Sequence, residues 1–91
     1  MHDIPNIMKT ALTPKDLGTY IRDTRKALGK SQQEVAHGIQ TRRQTISDLE
    51  AGENVGMHVM FNALLFLGKG IAITDVRPTV HTISSILNHD E

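Results

Sequence analysis

Ninety-one residues support one modest hydrophobic core and no second domain. With no cysteine there is neither a disulfide framework nor a zinc–thiolate site, which suits a reducing cytosol. A formal net charge of zero argues against a uniformly basic nucleic-acid binder, and the longest apolar stretch, Met57 to Leu67 with His58 and Asn62 inside it, falls short of the ~20 residues that span a bilayer.

In chain order, "MHDIPNIMKTAL" lacks the basic lead and long apolar block of a signal peptide, so a cytoplasmic protein is expected. It has no stable period and contains Pro5, and reads as a mobile arm over residues 1–12. "TPKDLGTYIRDTRKAL" predicts a helix with Thr13 as N-cap, Pro14 at the first helical position and Asp16 at a capping-box-like spacing. Leu17, Ile21, Thr24 and Leu28 recur at helical spacing as its inner face, and Gly29 ends it. "SQQEVAHG" restarts at once, with Ser31 and Glu34 forming a capping box and Val35, Ala36 and Ile39 supplying the buried face. "QTRRQTISDLEAG" predicts the next helix, buried through Ile46 and Leu49 and stopped at Gly52. Two short helices joined by a three- to four-residue turn read as a helix-turn-helix.

After the loop "ENVGM", a helix over roughly His58 to Leu67 is apolar nearly all round. A helix on the side of a small core needs only a stripe, so this one is expected to face the core on one side and another chain on the other. "IAITDV", residues 71–76, alternates as a strand does and is bounded by Pro78. A single strand is not stable alone, so its expected mate is the same strand of a second copy. Residues 79–91 are expected to form a short terminal helix around Ile83, Ile86 and Leu87, or to stay loose.

The neutral total hides an uneven charge distribution. Arg22, Arg25, Lys26, Lys30, Arg42 and Arg43 outnumber Asp23 and Glu34, while Lys69 and Arg77 are outnumbered by Asp48, Glu50, Glu53, Asp75, Asp90 and Glu91. One segment is thus positive and the next negative, which allows a basic face on a neutral molecule.

"SQQEVAHGI" followed by "RRQTISDLEAG", and preceded by "IRDTRKALG", resembles the helix-turn-helix of the phage-repressor or Xre family over roughly Leu17 to Leu67. The strand after the fourth helix, "GKGIAITDVRP", is similar to the HipB-type antitoxin branch, in which strands of two protomers pair. The resemblance implies an all-α, lambda-repressor-like helix-turn-helix bundle with one short C-terminal β-strand pairing across a dimer. It places a DNA-binding and dimerisation domain at residues 13–78. Two departures stand out: Gln40 takes the turn position commonly held by glycine, and Thr41 replaces a usually apolar residue.

The second helix of such a motif enters the major groove N-terminal end first. Carried onto this chain, that makes Arg43, Gln44, Ser47 and Asp48 the candidate base readers. Arginine donates two bonds to guanine O6 and N7, and glutamine pairs with adenine N6 and N7. Gln32, Arg42, Thr45, Arg22, Lys26 and Lys30 are candidates for phosphate contacts, with solvated surface charge the alternative for the last three. The resemblance assigns Arg25 and Glu50 to a scaffold ion pair rather than to DNA. Met60, Phe61, Leu64, Leu65, Ile71, Ile73 and Val76 are the candidate dimer interface.

His2, His37, His58, His81 and His89 have no metal-site spacing, and no nucleophile elbow or phosphate loop occurs. No cofactor and no enzymatic activity are expected. The implied function is a repressor that binds an inverted-repeat operator as a homodimer, its recognition helices roughly 34 Å apart. As an antitoxin it would also bind a HipA-type serine/threonine kinase toxin. The alternatives are a standalone phage-type or restriction-modification control regulator, and an interaction adaptor that has lost DNA binding.

Overall fold

The computed structural model describes residues 10–76. Four helices follow one another: α1 (Pro14–Ala27), α2 (Gln32–Gly38), α3 (Arg43–Ala51) and α4 (Met57–Phe66). They enclose one core of Ile21, Val35, Ala36, Ile46, Leu49, Ala63, Leu64 and Leu67, with Leu17, Ile39, Val55 and Met60 packed against it. The expectations for residues 1–9 and 77–91 lie outside the described residues.

Local chemistry starts the first two helices. Thr13, in extended conformation, accepts a hydrogen bond from the Asp16 backbone N–H at 3.1 Å, with Pro14 behind it. The Asp16 carboxylate reaches back past the cap to the Leu12 N–H, at 3.1 Å, instead of to the cap residue itself. At α2 the reciprocal capping box is complete: Glu34 N–H donates to Ser31 Oγ at 3.0 Å, and Ser31 N–H donates to Glu34 Oε1 at 2.7 Å. That backbone bond from Ser31 holds the Glu34 carboxyl below its ordinary pKa.

The inner face of α1 differs from its apolar periodicity. Gly18, Ile21 and Arg25 are buried, whereas Leu28 is exposed just past the helix end. Arg25 takes an inward position because a buried carboxylate awaits it, and Leu28 then has no core to reach. Gly18 permits a close approach of two helix backbones. A Cβ there would lie 2.5 Å from the carbonyl oxygens of both Leu49 and Glu50, so α1 meets the end of α3 backbone to backbone.

The turn between α2 and α3 closes α2 with two bonds, from Gln40 N–H to His37 O at 3.2 Å and from Thr41 N–H to Ala36 O at 2.8 Å. This is the Schellman pattern, which needs a left-handed residue just past the helix. Gln40 supplies it at φ 58°. Gly52 plays the same part after α3 at φ 84°, with Gly52 N–H on Leu49 O and Glu53 N–H on Asp48 O. Glutamine has a Cβ and is strained where glycine is not.

On α4, Ala63 and Leu64 are buried and Leu67 follows them into the core. Leu64 therefore belongs to the chain's own interior, at 6% exposure, and not to the dimer interface expected of it. Met57, Phe61, Leu65 and Phe66 remain exposed. Residues 71–76 form neither helix nor hydrogen-bonded strand within the chain, so the expected strand is absent from the single protomer. A strand requires a paired neighbour, and among the described residues of this chain none lies alongside.

Candidate nucleic-acid interface

The helix α3 is anchored from behind and open in front. Its inner side buries Ile46, Leu49 and Glu50, while Arg43 and Gln44 are exposed and Thr45, Ser47 and Asp48 are half-buried. Arg42, extended and exposed, is the N-cap, and its guanidinium, having donors only, does not cap the helix. The leading turn thus presents Arg42, Arg43 and Gln44 side by side.

The anchor is a network around Glu50. Arg25 Nε donates to Glu50 Oε2 at 2.6 Å and Arg25 Nη2 to Glu50 Oε1 at 3.0 Å, a two-pronged pair joining α1 to the end of α3. Arg25 Nη1 adds a bond to the Lys30 carbonyl at 2.9 Å. Burial alone would push the Glu50 carboxyl up, but the bonds from Arg25 and then Gln32 hold it below the ordinary carboxylate range. The same bond raises the Arg25 guanidinium, which stays charged. A pair so fixed sets orientation more than it adds net stability, because desolvation offsets attraction.

Three expected contact residues are engaged inside the protein. Gln32 Nε2 donates to Glu50 Oε1 at 3.0 Å, which ties the start of α2 into the network. One N–H of that amide remains for an outside acceptor. Gln44 Nε2 donates to Asp48 Oδ1 at 2.9 Å, one turn along α3. The Lys30 ammonium sits 5.6 Å from the centroid of the Phe66 ring, a cation–π arrangement that draws it toward α4. Arg22 and Lys26 lie exposed on α1.

Sequence reasoning missed Gly18 and the two amide bonds. A glycine inside a helix costs about 1 kcal/mol against alanine, so its presence in α1 was itself a signal of close packing. The Gln44–Asp48 spacing of four was another, since that is the distance of facing neighbours on a helix. The Gln32–Glu50 bond spans 18 residues and carried no local signal.

Among the described residues no helix is long and apolar enough to cross a membrane, and no group of three potential ligands can hold a metal. The family model described as Helix-turn-helix matches residues 21–73. No curated protein sequence is significantly similar to the chain. Among solved structures, HipB in complex with an O2 20mer shares 24% identity and superposes with a TM-score of 0.72, covering 77% of this chain and 99% of that one. HipB in a HipA-HipB-O2-O3 complex gives 24% identity and 0.71, covering 77% of this chain and all of that one. The clp gene regulator ClgR from Corynebacterium glutamicum gives 24% and 0.59, over 67% of this chain and 65% of that one. At such identity the likeness establishes the fold.

Proposed function

Because the chain belongs to the helix-turn-helix family, we propose that it is a sequence-specific DNA-binding repressor that occupies an inverted-repeat operator as a homodimer. The observation that carries this reading is the front of α3, where Arg43, Gln44, Ser47 and Asp48 face outward from a helix clamped at its other end by Arg25 and Glu50. Arginine and glutamine there match the hydrogen-bonding edges of guanine and adenine in the major groove. Arg42, Thr45 and the second N–H of Gln32 supply phosphate contacts nearby, with Arg22, Lys26 and Lys30 adding positive charge.

Dimerisation proceeds through Phe61, Leu65 and Met60 of α4, extended by Ile71, Ile73 and Val76. Ile73 is 97% exposed in the single chain, which favours a partner for this segment. Pairing of residues 71–76 between two copies supplies the neighbour that one chain lacks. The likeness to HipB, solved with a 20mer and with HipA, supports an antitoxin role with a HipA-type serine/threonine kinase toxin as protein partner. The protein is a binder and not an enzyme, and works in the cytoplasm where its operator lies. A second reading, a regulator without a toxin partner, draws on the fold likeness to the clp gene regulator ClgR.

The test is a titration of fluorescent duplex from upstream of the protein's own gene, at several salt concentrations, with wild type and Arg43→Ala. Tight binding that falls steeply with salt, and that Arg43→Ala weakens by about tenfold or more with loss of specificity, supports the reading. Weak binding that is equal in both proteins and indifferent to sequence refutes it.

A further inference from the structure

We propose that Asp48 is a positioning residue that fixes which way round the Gln44 carboxamide faces, so that α3 selects adenine over guanine at the base Gln44 meets. The proposal rests on the DNA-binding reading above. Its basis is the 2.9 Å bond from Gln44 Nε2 to Asp48 Oδ1 on the outward side of α3.

A free glutamine side chain has no fixed polarity. Rotation about its last bond exchanges oxygen for nitrogen, so the same residue can offer donors or an acceptor to a base. An ionised aspartate removes that freedom, because it only accepts hydrogen bonds. Turning the amide over would break a charge-assisted bond and bring Gln44 Oε1 against a carboxylate oxygen. The helix itself favours the arrangement, since Gln and Asp four apart face each other along one side. Gln44 therefore keeps one N–H on Asp48 and presents Oε1 with the second N–H in a fixed order.

That order has a matching base. Adenine offers an N6 donor beside an N7 acceptor, the complement of an acceptor beside a donor. Guanine offers two acceptors, O6 and N7, and meets an amide oxygen that cannot swing away. The Asp48 charge adds a second effect, because a carboxylate on the groove-facing side repels phosphates and lowers affinity for DNA of any sequence.

The test compares wild type, Asp48→Ala and Asp48→Asn by selecting from a pool of random-sequence duplexes long enough for two half-sites, with thermal unfolding of each variant as a check. The bond is exposed and joins neighbours on one helix, so both variants stay folded. Wild type is expected to prefer adenine to guanine on the order of tenfold at one position per half-site. Asp48→Ala should reduce that preference to about twofold or less while leaving the Arg43 position unchanged. Asp48→Asn, whose carboxamide can turn over and donate as readily as it accepts, should lose the preference as Asp48→Ala does and bind non-specific DNA more tightly. An unchanged preference in Asp48→Ala or in Asp48→Asn, or a loss that extends to the Arg43 position, overturns the positioning role and leaves the repressor reading standing. No enrichment by wild type, together with salt-insensitive binding, overturns both.

Discussion

The helices α3 and α4 have nearly the same length and pack on the same core, yet they expose opposite chemistries. Inward, α3 places Ile46 and Leu49 ahead of the clamped Glu50, and α4 places Ala63 and Leu64, so both helices give aliphatic side chains to the shared core. Outward, α3 shows arginine, glutamine, serine and aspartate, while α4 shows Met57, Phe61 and Leu65. Buried faces report that a helix belongs to the fold. Exposed faces report what it is for: hydrogen-bonding groups suit base edges, and an apolar face suits another apolar face.

Disrupting α4's exposed face should have the largest effect on DNA binding while sparing the fold. Leu65 is 69% exposed, so Leu65→Asp should change single-chain stability by no more than about 0.5 kcal/mol. It should nevertheless break the dimer and lower operator affinity about hundredfold, since two linked recognition helices bind far better than one. Light scattering alongside a DNA titration checks this; a dimer of unchanged affinity would remove α4 from the interface.

Next comes the clamp behind α3. Glu50→Ala strands the Arg25 charge in the interior and should cost about 3 kcal/mol in urea unfolding. The same clamp makes stability acid-sensitive. The folded Glu50 carboxyl is held below its unfolded value, so its contribution is complete above the ordinary carboxylate pKa of about 4.3 and is lost as pH falls through the folded one. Glu34 adds to this in the same direction. Unfolding midpoints measured across acidic pH should decline less steeply in Glu50→Gln than in wild type, and equal slopes would assign the acid loss elsewhere.

The smallest effect is expected at the turn before α3. Gln40→Gly relieves a left-handed glutamine and should stabilise the protein by about 0.5–1 kcal/mol, less the entropy that glycine adds to the unfolded chain. A destabilised variant would mean that the Gln40 side chain makes a contact worth more than the strain.

Much of this architecture was legible because it is written in local patterns. Thr13 with Pro14, Ser31 with Glu34, and Gly52 fixed helix boundaries through capping chemistry that needs no tertiary context. Ile46 and Leu49 were likewise readable from spacing, and Gln40's positive φ from the glycine it replaces. Of the long-range choices, the Arg25–Glu50 pair was in reach only through the family resemblance, and local spacing reached none of them. Apolar period favoured Leu28 over Arg25 as an inward residue, and only a partner 25 positions away reverses that preference. Leu64 could not be told from Leu65 on a helix apolar nearly all round, until the fold turned one inward and the other to water. The strand expected at 71–76 does not form within one chain, where no paired neighbour lies alongside it among the described residues.

The missing side chain at Gly18 has a consequence for how this protein can change over generations. Contact between α1 and the carbonyls of Leu49 and Glu50 locates α3 by its trailing end, through backbone atoms that sequence drift cannot alter. The leading end carries no packing duty of comparable weight at Arg43 or Gln44, which are exposed. New side chains can therefore be tried there with little penalty to folding, like bits exchanged in a fixed chuck. The scaffold is inherited intact while its DNA vocabulary is rewritten.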